Sequence, residues 1–236
     1  MRRFFLACLV LAALAGCSNP DGLMYQGNLA YRKGDFTRAA ELFEKAREHP
    51  TVRGAASYNL GRLYFEQGRY QEAEELLREA GGLEVQHPMV RVYLARDLAA
   101  MGRTEEAEAE LRRTLKIHSD LSQAQLSLSR VLVSKGELEE ASALLKEVET
   151  DPTLREEVTL LSADISAKRG DPEAAVKTLQ TYLSQSPLSA PAHFALATVL
   201  ADQGKTEDAE RHLRTAEMLD PTRKQQKFPS EPGKIE

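Results

Sequence analysis

From residue 20 to 223, small, large apolar and polar positions recur with a period of 34. Gly34, Gly68, Gly102, Gly136, Gly170 and Gly204 mark it without slippage. Five residues after each glycine comes an alanine, from Ala39 to Ala209. Four further on stands a large apolar residue, Phe43 in the first unit and leucine in the rest. Seven residues before each glycine is a small residue: Gly27, Gly61, Ala95, Ser129, Ala163 or Ala197. The units run 20–53, 54–87, 88–121, 122–155, 156–189 and 190–223. Alternating β-branched runs are missing, so strands are not expected.

The spacing predicts two helices per unit. Glycine ends the first, because the residue after a helix often takes a left-handed backbone. The small residue before it and the alanine after it let two antiparallel helices approach closely. The apolar residue one turn beyond the alanine fills the seam. Proline closes several units (Pro50, Pro152, Pro187, Pro221), since it cannot continue a helix. Asp171-Pro172 reads as a cap followed by a first-turn proline.

Residues 58–80, YNLGRLYFEQGRYQEAEELLREA, hold the pattern most completely, with Leu60, Gly61, Tyr64, Gly68, Tyr70, Ala73, Leu77 and Ala80. The chain resembles the tetratricopeptide repeat family over 20–223. The resemblance implies an all-α fold, a right-handed superhelical solenoid of six helix-turn-helix units, in which each unit buries its apolar face against its neighbours. Departures are mild: Thr114, Val148 and Tyr182 stand where small residues are usual. Ser162 and Ser166 replace apolar residues, so the fifth unit is expected to be the loosest join. Arg211, His212 and Thr215 are expected on the outer side of a polar last helix. The tail 224–236 is polar with two prolines and is expected to be disordered.

The first twenty residues follow another rule. Arg2 and Arg3 precede an apolar run from Phe4 to Ala15 of about 12 residues, short of the ~20 that span a bilayer. That is the layout of a secretory leader over 1–16. It ends Leu14-Ala15-Gly16-Cys17, which resembles the bacterial lipobox. The resemblance implies cleavage before Cys17, lipidation of its thiol, and a short linker over 17–21. Cys8 would leave with the leader. Ser18 in place of Asp favours the outer membrane, periplasmic face; inner-membrane retention and a surface-facing orientation stay open.

Composition narrows the function. The chain carries a net charge of −5 and has no Trp, with 6% aromatic residues. An acidic balance argues against nucleic acid as a partner. No catalytic set, metal-ligand spacing or phosphate-binding glycine loop is present. No enzyme activity, cofactor, metal or small-molecule substrate is expected. Glu105, Glu106, Glu108 and Glu110 read as a solvated outer face.

In the family the first helices line a concave groove that takes peptides. On that face the register places Met24, Tyr58, Val92 and Leu126 at the fifth position, Tyr31 and Phe65 at the twelfth, and Asn28, Arg62, Arg96 and Arg130 at the ninth. Asn59 and Tyr93 lie beside them. Aromatic anchors with an arginine ladder suit an extended peptide bearing acidic side chains or a C-terminal carboxylate. The bland alternative is ordinary solvated charge, with Arg62 paired to Glu66. Asn28 and Asn59 match the asparagines of family members that grip chaperone C-termini, but the basic positions hold Met24, Met89 and Tyr93, so that role is not expected.

The whole reads as a non-enzymatic protein-interaction scaffold, a lipid-anchored envelope adaptor. In architecture it resembles the pilotin-type lipoproteins of type IV and tight-adherence pilus systems, which implies a role in pilus or secretin assembly. An adaptor for cell-wall hydrolases or exopolysaccharide export is the alternative, and a soluble co-chaperone a second.

Overall fold

The computed structural model describes residues 19–82 and 87–222. Cys17, Cys8, the leader and the tail 224–236 lie outside the described residues. Among those described there are twelve α-helices and no strand. They are α1 (Pro20–Arg32), α2 (Phe36–Arg47), α3 (Arg53–Glu66), α4 (Tyr70–Gly82), α5 (Met89–Ala100), α6 (Thr104–Ile117), α7 (Ser122–Lys135), α8 (Leu138–Val148), α9 (Arg155–Lys168), α10 (Pro172–Gln185), α11 (Ala190–Asp202) and α12 (Thr206–Leu219). The helix-pair repeat is thus the one the spacing predicts. The chain divides between Glu110 and Leu111 into two compact units, so α6 belongs partly to each. No described helix is long and apolar enough to cross a membrane.

Local chemistry sets the helix ends. Asn19 caps α1, its side chain accepting from the Asp21 N–H. The Asp171 carboxylate accepts from the Ala174 N–H at 3.0 Å, ahead of Pro172, as the sequence suggests. The Ser189 hydroxyl does the same for α11. Each of these satisfies a backbone donor that the helix itself cannot. The six periodic glycines all have φ between 73° and 81°. At Gly136 this lets the Glu137 N–H turn back to the Leu132 carbonyl at 2.9 Å, which closes α7.

In the N-terminal unit α1 to α4 pack consecutively. Their core holds Leu42, Phe43, Leu60, Leu63 and Leu76. The small-residue rule has a direct cause: a Cβ on Gly27 would lie 2.6 Å from the Phe43 ring, and one on Gly61 would lie 2.9 Å from Leu77. In the C-terminal unit the core holds Ala175, Leu179, Leu196, Val199 and Leu200. Thr114 and Val148, unusual for their positions, are both buried. Around Ser162 and Tyr182 a cleft of about 840 Å³ opens between the fourth and fifth units, also lined by Leu145, Arg155 and Thr181. The Ser166 hydroxyl, with no apolar seam to fill, donates to its own helix at the Ser162 carbonyl.

Two expectations change. Glu110 is not freely solvated: it pairs with Arg91 at 3.1 Å, whereas Glu105 and Glu106 are exposed as expected. His212 does not point outward. Its Nδ1 lies 2.9 Å from Nδ1 of His193 on α11, with ring centres 5.1 Å apart. That centre distance is close to the N···N distance plus two ring radii, the most that such a contact allows. The imidazoles therefore meet edge to edge, as an N–H···N bond requires. His193 Nε2 faces the Pro187 carbonyl at 3.1 Å, so it carries a proton. When both rings are neutral, His212 then donates to His193. Two imidazolium rings would set N–H against N–H.

Burial, then His193 and Arg211, hold the His212 pKa below its usual value, with Asp208 opposing. A lowered pKa on a base stabilises the fold above its unfolded value of about 6.5, and that contribution is lost as pH falls below it. We therefore expect acidification from pH 7.5 to 5.5 to lower the melting temperature more in the wild type than in His212→Asn. Parallel profiles would refute this role.

Candidate functional site

The first helices of the N-terminal unit present one continuous band of aromatic and cationic side chains. It crosses from α1 to α3 and on to α5. On the α1–α3 side the Asn59 amide, itself buried, donates to Asn28 at 3.3 Å. The Tyr31 hydroxyl donates to Glu66. On the α3–α5 side Tyr58 and Phe65 meet Tyr93 edge-on, with ring centres 5.8 and 6.1 Å apart. Such edge contacts fix ring orientation at little entropic cost.

The two arginines sit on this aromatic floor. The Arg62 guanidinium lies 4.4 Å from the centre of the Tyr31 ring and 5.9 Å from that of Tyr58. That of Arg96 lies 5.0 Å from Phe65 and 5.2 Å from Tyr93. At these distances a cation is attracted to the ring face. Burial raises the Tyr31 pKa to about 12, helped by the bond to Glu66 and opposed by Arg62. Burial also raises that of Tyr58, as does Tyr93, while Arg62 lowers it. Both phenols therefore stay protonated and the band carries net positive charge at its arginines. The suggested Arg62–Glu66 pair does not form, because Tyr31 takes the Glu66 carboxylate and Arg62 stacks on the ring behind it.

Other site residues fall differently. Met24 is half-buried against the core of α1 to α3. Val92 is wholly buried and Leu126 is 2% exposed, so neither presents a surface to a ligand. This corrects their placement in a groove: the aliphatic side chains at that position pack inward, whereas Tyr58 is long enough to reach the surface. Arg130 belongs to the C-terminal unit and pairs with Glu157 of α9 at 3.2 Å. It is a satisfied charge, unlike the two on the aromatic band. Among the described residues no group of three His, Cys, Asp or Glu side chains could hold a metal.

One group escaped sequence reading. Asp97 on α5 is completely inaccessible, and neither carboxylate oxygen has a hydrogen-bond partner. The signal was there. In the 34-residue register its position holds Leu29, Leu63, Val131, Ile165 and Val199 in the other units.

Tetratricopeptide repeat models match residues 24–82, 98–165 and 166–227, most of the chain. The chain belongs to the tetratricopeptide repeat family. Among solved structures, a tetratricopeptide repeat protein of Parabacteroides merdae is similar at a TM-score of 0.67, with 18% identity over 84% of this chain and 79% of that one. A thermophilic tetratricopeptide repeat protein of Thermus thermophilus gives 0.66, with 22% identity over 71% of this chain and 92% of that one. A chain of the APC/C Cut9–Hcn1 assembly gives 0.75, with 16% identity over 90% of this chain but only 42% of that one. No curated protein matches the sequence. At these identities the likeness shows the fold alone. Tetratricopeptide repeat proteins are generally non-enzymatic scaffolds for protein interaction, and the fold here supports that role.

Proposed function

We propose that the protein is a lipid-anchored envelope adaptor that holds a partner protein on the first-helix face of its N-terminal unit. The observation that carries this is the aromatic band of Tyr31, Tyr58, Phe65 and Tyr93, half-buried and continuous across three helices. Rigid aromatic anchors bordered by polar groups are what protein-binding surfaces use for affinity. The lipobox-like end of the leader supports anchoring through Cys17. Leader, anchor and six repeats together support a place at the outer membrane, in assembly of a pilus secretin. A photocrosslinker in place of Tyr93, used in intact cells, should trap a discrete envelope protein. A crosslinker at Ile117, exposed on the C-terminal end of α6, should not. Equal labelling from both positions would remove the assignment of the face.

The anchor makes a second prediction. Helix α1 begins at Pro20, inside the 17–21 linker that the sequence suggests. Cys17 therefore stands three residues ahead of it, about 10 Å of extended chain at most. A partner on α1 to α5 would dock near the bilayer. A 30-residue flexible linker between Ser18 and Asn19 keeps the α1 cap intact. It should leave membrane association unchanged and impair function, whereas Cys17→Ala should abolish membrane association. Full function with the linker would show that height above the membrane is immaterial.

A further inference from the structure

We propose that the surface built on Arg62 and Arg96 receives an extended acidic segment of the partner, its carboxylates paired with the two guanidiniums. The proposal rests on the reading of this face as the protein-binding surface and names what that surface recognises.

Three observations carry it. First, Arg62 and Arg96 differ from their neighbours. Arg38, Arg47, Arg69, Arg78, Arg91 and Arg103 each sit in an ion pair within the N-terminal unit. Among the described residues Arg32 and Arg53 also lack an ion pair, but both are exposed; Arg62 and Arg96 have no carboxylate at ion-pair distance although both are half-buried. Second, the Nε of Arg62 is buried without a hydrogen-bond partner. A buried charged donor left unpaired is costly, so the Arg62 guanidinium is not satisfied within the unit. Third, Glu66, the nearby acid on this face, is occupied by the Tyr31 hydroxyl and does not compete.

Geometry sets the form of the ligand. A guanidinium set over a ring can still offer its two terminal NH2 groups to a carboxylate as a two-pronged bond. The two arginines stand on α3 and α5, consecutive first helices in contact with each other. Packed helices lie roughly 10 Å apart. Extended chain rises about 3.3 Å per residue. The two carboxylates therefore fall about three residues apart, with an apolar side chain between them to cover Tyr58 and Tyr93. Two isolated cations in an acidic protein suit such a segment and not a polyanion, which draws on many phosphate contacts.

The test is selection of random 12-residue peptides, displayed on phage, against the purified protein. The expected result is enrichment of Asp or Glu pairs two to four residues apart. Binding should fall about tenfold in Arg62→Gln or Arg96→Gln and about a hundredfold in the double variant, and should weaken with salt. Replacing Asp and Glu by Asn and Gln in a selected peptide should abolish binding to the unaltered protein, a readout that needs no variant to fold. Peptides that lack acidic pairs and bind the double variant equally would overturn the proposal while sparing the protein-binding reading. Failure of the unaltered protein to select any peptide would overturn both.

Discussion

Gly27→Val is expected to cost about 3 kcal/mol or more and to open the first helix pair. The Cβ it adds would stand 2.6 Å from one Phe43 ring carbon and 2.8 Å from the next. Such distances demand movement, and the ring cannot give way. Phe43 is fully buried, held among Ala39, Leu60 and their neighbours. Either α1 moves off α2 or the ring leaves its rotamer. Overpacking of this kind typically costs about 1–3 kcal/mol, and a β-branched side chain in mid-helix adds to it.

The cause can be separated from a generic effect of replacing glycine. Phe43→Ala alone should cost about 3–5 kcal/mol, because it leaves a cavity. Combined with Gly27→Val, it removes the obstacle and the new side chain partly fills the space. The double variant should therefore be clearly more stable than the sum of the two losses predicts, by about 2 kcal/mol in a double-mutant cycle. Urea unfolding followed by circular dichroism gives all four corners. Gly82→Ala is the control: no atom lies within 4 Å of its added Cβ, so stability should hold or rise slightly. Strict additivity in the cycle would show that ring contact is not why Gly27 is small.

Gly27 also shows how much of this molecule can be read from its sequence. The period of 34 reveals that a small residue faces a large one, since both positions recur six times. It locates the end of every first helix to within a few residues, and of several second helices, because glycine and proline act locally. It also places Tyr58, Phe65, Arg62 and Arg96 on one face. What it misses depends on reach and on pairing between helices. Val92 and Tyr58 share a register position, yet only the tyrosine extends beyond the core. Arg62 seemed free to pair with Glu66 because the sequence does not show that the Tyr31 hydroxyl, 35 residues away, takes that carboxylate. Arg130 looked like a third rung until Glu157 appeared beside it. His193 and His212 lie on separate helices, and nothing in their spacing shows that their nitrogens converge. Asp97 is a different kind of miss: the register that exposed the repeats also marks it as the one acid at an aliphatic position.

That position leads to the second large effect. Asp97→Asn should stabilise the protein at pH 8 by about 2–4 kcal/mol and change little at pH 4. Burial raises the Asp97 pKa to about 7, the nearby Glu74 carboxylate adds to the rise, and Arg103 opposes it. Arg103 offers limited relief because its guanidinium is already engaged by Glu74 at 2.8 Å and Glu106 at 2.6 Å. In the unfolded chain an aspartate titrates near 3.9. Below that value both states hold the proton and Asp97 imposes no ionisation penalty. As pH rises towards 7 the unfolded chain releases its proton while the folded state keeps it, and each pH unit removes about 1.4 kcal/mol of stability. Above 7 the loss stops growing. The asparagine variant has no proton to lose, so the difference between the two proteins should open across that window and then level off. Asp97→Val restores the aliphatic residue of the register and should gain more at pH 8, since it also removes the unpartnered oxygens. Urea denaturation at intervals from pH 4 to 8 reads the whole curve. If wild type and Asp97→Asn stay parallel across that range, the carboxylate is ionised and partnered in solution. If they diverge, stability of the unit that carries the aromatic band falls with rising pH, and the partner surface is softened most above neutrality.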